Sequence, residues 1–412
     1  MATDYYNPDT TGYNIKATLK LGTEKKRIEI DISRFVKSIS YSILNFEFLP
    51  TVELTFFLST YYTNLLANPY ELDLEILEKG GNSGTDIPRS KVSGKFLAFP
   101  SNVTTINKTN ESNDGSRIEI TEVFFPKDIS TTVNSETTLT IHNMNLLDSI
   151  KKLFKASCHG SAQLKCGKFS SSVKLPYIVL PRNKLIPHII NLFNRYGFGN
   201  NSTAMYADFN NFYIYNVNEN IIGSKEPLVF YWNKEKVTEK YNINNYHYWL
   251  RDPPSMSTST GANSNSYSKE IILIQHPSNT LYKKSTAKLK KEARKNKTTA
   301  QVNSFDYYDI NKKTKTTIFA GNDNTLPGLT KLANEISYNI TADVTVIDPM
   351  ILTDWVIGRK VKFDTDITDY FGFDMTGYVS GYTVTLTSNN GVKWDGITEL
   401  TISIVSNGAF IK

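Results

Sequence analysis

The sequence predicts a mainly β protein of the α+β class, with a sheet module at each end of the chain. Three observations carry this. In the first segment Leu72, Leu74 and Ile76 alternate with Glu71, Asp73 and Glu75, the period of a half-buried strand. The last segment closes on a long hairpin: Tyr378, Tyr382, Val384 and Leu386 share one face of a run that turns at Ser388-Asn-Asn-Gly391. Asn-Gly is a favoured corner because both residues tolerate positive φ. Between the two modules lie two stretches of helical period, through Leu146–Phe154 and Leu185–Tyr196.

Taken in order, residues 1–141 read as an N-terminal β domain. Ile28, Ile30 and Ile32 alternate with Glu29 and Asp31, and the strands Val36–Leu44 and 51–58 flank a hairpin connection at 45–50. The glycines of 80–84 mark a loop, and strands at 91–99 and 117–125 complete enough of a set for a small barrel or sandwich. Residues 142–235 read as an α+β insert. Leu146, Leu147, Ile150, Leu153 and Phe154 form an apolar stripe with Asn143 or Asn145 as its cap. The second helix carries Leu185, Ile186, Ile189, Leu192 and Phe193, tolerates Pro187 in its first turns and stops at Gly197. A hairpin then turns around 208–211.

Residues 236–327 break the pattern. The Pro-Pro and Ser/Thr/Gly/Asn stretch 251–268 reads as a flexible loop. It is followed by a basic run, Lys283, Lys284, Lys288, Lys290, Lys291, Arg294, Lys295 and Lys297, and by a strand at 316–320. Residues 328–412 form the closing β domain. Leu329, Leu332, Ala333 and Ile336 make a short helix; strands follow at 343–347 and 358–363, then the hairpin, whose return strand sets Leu400, Ile402 and Ile404 opposite Glu399, Thr401 and Ser403. The two end modules read as a diverged duplication.

With 412 residues the chain exceeds one compact core, and about two to four domains are expected. The 24 tyrosines suit strand faces and interfaces, where an amphipathic ring is half buried. A net charge of +6 identifies no partner by itself. No apolar run is long enough for a transmembrane helix, and the first residues lack the basic and apolar regions of a secretory signal. Synthesis and assembly in a cytoplasm are expected, and two cysteines fit a reducing compartment.

Residues with chemistry in them do not form a site in the sequence. Cys158, His159 and Cys166 offer three soft ligands without a fourth or a C-x-x-C spacing. His188, near an apolar helix face, reads as a packing or cap residue. Asp364, Asp366 and Asp369 resemble the start of a calcium loop but place Asp369 where an EF-hand needs glycine, so a solvated acidic turn is expected. Glu71, Asp73 and Glu75 read as a solvated or intersubunit strand face. The motifs of serine hydrolases, P-loops and dinucleotide sites are absent. No catalytic residue, metal or cofactor is therefore assigned. The basic run binds phosphate without reading sequence, or docks on an acidic neighbour.

The order of parts resembles the baseplate hub proteins of contractile phage tails, the tail-tube initiators related to late-control proteins. The likeness rests on the strands 28–32, Val36–Leu44 and 51–58, on the unit Leu185–Tyr196, Gly197 and 205–217, and on the close from Leu329 through Gly358-Arg-Lys-Val-Lys-Phe363 to the final hairpin. It implies two tube-type antiparallel β-barrel domains at the chain ends, with the α+β domain and an irregular basic region inserted between them. It implies a non-enzymatic homotrimer in the virion baseplate, adapting a six-fold tube to a three-fold spike and forming part of the DNA-ejection channel. Its partners would be the tail tube protein, the central spike, other baseplate (wedge) proteins and the tape-measure protein. Genomic DNA would pass with only transient, non-specific contact. Glu71, Asp73, Glu75, Tyr378, Tyr382, Thr383 and Thr385 are the candidates for the lumen or a subunit interface. A β-rich receptor- or glycan-binding appendage, using Trp232, Trp249, Trp355 and Trp394, and a nucleic-acid-binding protein using 283–297 are the rival readings.

Overall fold

The structure is a computed structural model and describes residues 12–23, 26–79, 88–99, 105–108, 117–167, 174–175, 177–196, 203–216, 226–232, 246–259, 270–275, 280–285, 304–309, 314–321, 339–347, 351–371, 376–389 and 393–404. The expected helix at 329–336, the loop 80–84, Gly197, the hairpin corner at 390–391 and the basic residues 288–297 lie outside these.

The N-terminal strands are β1 (Gly12–Thr23), β2 (Lys26–Asp31), β3 (Val36–Leu44), β4 (Thr51–Ser59), β5 (Tyr70–Lys79), β6 (Pro88–Ala98), β7 (Thr105–Lys108) and β8 (Arg117–Pro126). Strands β3, β4 and β5 fall where alternation places them, and burial follows the alternation: Ile39, Tyr41 and Ile43, then Val52, Leu54, Phe56 and Leu58, all face a core. The order β6-β5-β1-β2 makes one layer, and β3-β4-β8-β7 belongs to a second. The two meet where Phe96 and Leu97 pair Pro126 and Phe125. One expectation is corrected. Strand β2 lies at the end of its layer with a single neighbour, so Ile28 is exposed and only Ile32, beyond the strand, is fully buried.

The next elements are α1 (Lys127–Asn134), β9 (Glu136–Ile141), β10 (Met144–Asn145), α2 (Leu146–Ser157), β11 (Gln163–Cys166), β12 (Lys174–Leu175), β13 (Ile178–Lys184), α3 (Leu185–Tyr196), β14 (Thr203–Ala207) and β15 (Asn211–Asn216), of which α1 and β9 precede the expected insert at 142–235. Leu146, Ile150, Leu153 and Phe154 of α2 meet Leu185, Ile189, Leu192 and Phe193 of α3 in a core of their own. Asn145 is the cap: its Oδ1 accepts from the Asp148 amide at 2.7 Å while its Nδ2 donates to the Asp148 carboxylate at 2.6 Å. The β3–β4 connection enters this core. Phe48 is buried in it, and the Phe46 amide donates to the Met205 carbonyl at 2.6 Å with Phe46 at φ 65. The Ala207 amide returns a bond to the Glu47 carbonyl at 3.1 Å. An expected hairpin turn is thus a peg that fixes β3 and β4 to the core of α2 and α3 and to the backbone of β14.

The remaining strands are β16 (Leu228–Tyr231), β17 (His247–Trp249), β18 (Ser255–Ser259), β19 (Glu270–Gln275), β20 (Thr280–Ser285), β21 (Ser304–Asp309), β22 (Thr314–Gly321), β23 (Asn339–Ile347), β24 (Lys360–Phe363), β25 (Thr376–Asn389) and β26 (Lys393–Ile404), with α4 (Thr365–Phe371) after β24. Three expectations change here. The flexible loop 251–268 contains β18, which pairs β23 along its length. The irregular region contains a four-stranded sheet, β20-β19-β22-β21, with Lys283 and Lys284 on β20. The acidic turn is the helix α4, opened by the Asp364 carbonyl, which accepts from the amides of Ile367 and Thr368. Polar composition hid β18, Ser-Met-Ser-Thr-Ser, because strand pairing satisfies backbone groups whatever the side chains; it does not account for β19, whose Ile271–Ile274 run is apolar.

Both ends of the chain share one sheet. Strand β25 pairs β3 from Gly381↔Leu44 to Thr387↔Ser38, which gives eight antiparallel strands in the order β7-β8-β4-β3-β25-β26-β23-β18. The halves repeat. In each, the order along the sheet is third, fourth, second, first strand of that half, and antiparallel pairing makes the directions match as well. Behind this sheet lie β1, β2, β5, β6 and the strands β16, β17 and β24, so a single core runs from Tyr13 to Ile402.

Candidate functional site

One face of the eight-stranded sheet is sealed by that core, and the other is left to hydroxyl groups. Register sets Ser38, Ser40 and Ser42 of β3 opposite Thr387, Thr385 and Thr383 of β25 on one side, and opposite Thr55, Glu53 and Thr51 of β4 on the other. Their side chains bond across the strands. Ser42 and Thr383 hydroxyls are 2.7 Å apart, Ser40 and Thr385 3.3 Å, Thr55 and Thr121 of β8 3.0 Å. On the far half the Thr401 hydroxyl donates to Asp343 at 2.9 Å. Hydroxyl pairs satisfy one another at moderate depth without a charge, and β-branched threonine suits a pleated surface.

The charges on this face are mainly acidic. Glu53, Asp343, Asp395 and Glu399 are exposed along it, whereas among the described side chains its cations Lys37 and Arg117 lie at one end of β3 and β8. There Lys37 bonds Glu119 at 3.1 Å, and the Arg117 guanidinium lies 4.6 Å over the Phe35 ring. Such a surface offers polyanions little to hold. Thr383 and Thr385 are candidates from the sequence; the serines of β3 and the threonines of β4 and β8, which share their face, are not among those candidates. The signal was there, in hydroxyls alternating with Ile39, Tyr41 and Ile43.

Of the two tyrosines expected on this face, Tyr382 lies in the core, and Tyr378, 9% exposed, opposes Ser403 and Lys360. A bulge at Ser380, between the pairs Val379↔Ile402 and Gly381↔Thr401, adds one residue to β25. Val379, not Tyr378, therefore shares the face of Tyr382, and Tyr382 is 8% exposed in the core. Burial raises its phenol pKa well above the ordinary value, with Tyr41, Asp208, Tyr213 and Tyr215 near enough to add to the effect. Tyr206 and Tyr213 stack at 4.7 Å beside it. These phenols stay neutral and act as packing.

The acidic strand β5 belongs to the other layer and is balanced within the chain. Glu71 bonds Arg27 at 2.6 Å and Lys127 at 2.7 Å, Asp73 pairs Lys20, and Glu75 bonds Lys91 at 2.9 Å. Asp73 and Glu75 line a cleft of about 690 Å³ that also takes in Lys16, Lys95, Asp128 and Ser161, so they face α1 and the insert. Asp128 holds Ser161 through its amide, 2.8 Å, and hydroxyl, 2.5 Å.

The scattered soft ligands do not converge. The Cys158 thiol donates to the Ala162 carbonyl at 3.1 Å, and burial pushes the Cys166 thiol up to about 11. His159 Nε2 is 3.2 Å from the Ser135 hydroxyl, and His188 is buried with Nε2 3.4 Å from the Thr137 carbonyl. Among the described residues no cluster of histidine, cysteine and carboxylates could hold a metal ion, and no helix is long and apolar enough to cross a membrane. Trp355 and Trp394 are core residues, which removes them from any open aromatic platform.

Comparison with known proteins finds the fold elsewhere. A tail protein from Neisseria meningitidis MC58 matches with a TM-score of 0.51 at 13% identity, covering 97% of this chain and 99% of that one. The lidless PdpA-VgrG complex matches with a TM-score of 0.51 at 14% identity over 97% of this chain and 66% of that one. The lidded complex from Francisella gives 0.50 at 13% over 97% and 54%, so the chain spans about two thirds and about half of those two matched chains. The β-rich fold shared with tail proteins is the one the order of sequence elements implied. No protein-family model and no curated protein sequence matches the chain.

Proposed function

We propose that this chain is a structural tail protein: a trimeric baseplate hub at the distal end of a phage-type tail tube, in the virion. One observation carries the reading. The two halves of the shared sheet repeat head to tail, with the same strand order and direction, and the outermost strands β7 and β18 have only one neighbour each among the described residues. A head-to-tail interface either closes into a ring or runs on as a filament. Here β18 of one copy runs antiparallel to β7 of the next, just as β3 runs antiparallel to β25 within the chain. Three copies then present six quasi-equivalent units to a six-fold tube while keeping three-fold symmetry for a central spike.

The hydroxyl face is the channel wall in this reading. Among the described residues the opposite face is covered by β1, β2, β5, β6 and the strands β16, β17 and β24, and this one is left to solvent-facing hydroxyl and acidic side chains. An uncharged to acidic wall lets DNA slide during ejection, because it supplies few cations for the phosphates. Tube protein, spike, wedge proteins and tape-measure protein are the partners on this reading, and the protein has no catalytic task. Native mass spectrometry and cryo-electron microscopy of the purified chain test it. The expected result is a trimer in which β18 pairs β7 of the neighbour and Ser40, Ser42, Thr383 and Thr385 line the pore. A closed dimer, or a ring with those residues outside, overturns it.

A further inference from the structure

The repeat also predicts a second contact between copies, away from the strand edges. Each half places a 3-10 turn after its second strand: Thr60–Ala67 follows β4, and Leu352–Asp354 follows β23. Strands β4 and β23 point the same way, so both turns lie at the same end of the sheet. The C-terminal turn packs against β6, which belongs to the N-terminal half. Leu352 and the adjoining Trp355 are each 2% exposed there. The N-terminal turn packs on its own half: it lies against β1, with Tyr62, Leu65 and Leu66 partly buried on the shared core. None of its residues is buried, Leu65 and Leu66 are half-buried, and Tyr61 is 80% exposed.

We infer that Thr60–Ala67 is an intersubunit contact, seated on the C-terminal half of the preceding copy as Leu352–Asp354 is seated on β6. The inference rests on the ring reading. Moving the chain along the sheet by one repeat carries the C-terminal turn onto the N-terminal one, and carries β6 into the preceding copy. The partner is therefore a second copy of this chain. Its apolar ground is what Tyr61 needs: a large, rigid amphipathic ring loses little conformational freedom on burial and is a frequent anchor of interfaces. The same turn also ties the contact to the strand seam, because Ser59 ends β4 and its hydroxyl accepts from the Tyr61 amide at 3.4 Å.

The test compares the full chain with Tyr61→Arg and with Tyr177→Arg, an exposed control on the insert, by mass photometry over a dilution series. The melting temperature of each variant checks the fold, and Tyr61→Ser replaces Tyr61→Arg if the latter melts early. The expected result is a wild-type ring, an unchanged Tyr177→Arg ring, and a rise of about tenfold or more in the concentration at which Tyr61→Arg half-dissociates. A wild-type ring that Tyr61→Arg leaves intact, or that Tyr177→Arg weakens equally, overturns the contact alone. A wild-type chain that stays monomeric throughout overturns the ring and the contact together.

Discussion

At the scale of residues, two side chains tie distant segments of the chain to each other by different physics. Phe48 buries its ring in the core of the insert although it belongs to the β3–β4 connection. Phe48→Ala removes that ring and leaves a cavity, and is expected to cost about 3 kcal/mol, read from urea unfolding. Glu71 works by charge. Partial burial pushes its carboxyl up, but hydrogen bonds and charge from Lys127 and Arg27 outweigh that and leave it below its ordinary value of 4.5. A depressed carboxylate stabilises the fold above the unfolded pKa, and that stabilisation is lost as pH falls through the folded one. Glu71→Gln is expected to flatten the acid limb of a stability-against-pH curve. An unchanged acid slope would count against this role. Neither tie could be read from local sequence, since both partners lie far along the chain.

At the scale of elements, local rules did most of their work where one segment supplies its own partners. The α2 helix and its cap were legible, although only the geometry chose Asn145 over Asn143, which sits at φ 50. Asn145→Ala is expected to destabilise the insert by about 1 kcal/mol, with faster amide exchange confined to the first turn of α2. Strands with alternating apolar residues were equally legible. The bulge at Ser380 was not, because one extra residue changes the face of everything after it without altering the composition. Strand β18 was missed for a related reason: Ser, Met and Thr become a strand there only because β23 lies alongside.

At the scale of the whole molecule, the repeat turns a chain with two similar ends into one sheet, which the proposed function makes a channel wall. The wall's chemistry makes its own prediction. Glu53→Lys with Glu399→Lys converts two exposed acids of the hydroxyl face into cations. Trimer formation should persist, since neither residue lies on the edge strands β7 and β18. Particles built with the doubly substituted chain should release DNA more slowly, with a difference that shrinks as salt rises, because added cations hold phosphate. Equal ejection rates at low salt would remove the acidic side chains from the channel.

The sequence by itself determined the class of the protein, the positions of the elements whose apolar residues alternate or recur at helical spacing, and the absence of familiar catalytic motifs. Each of those follows from near neighbours: a period of two or of 3.6, a cap, a turn. Only the tertiary structure decided that the two ends form one sheet, that serines and threonines from β3, β4, β8 and β25 meet on its outer face, and that the acids of β5 are spent on internal pairs. Those depend on which strands lie side by side, and strand pairing between residues hundreds of positions apart leaves no periodic trace in either partner.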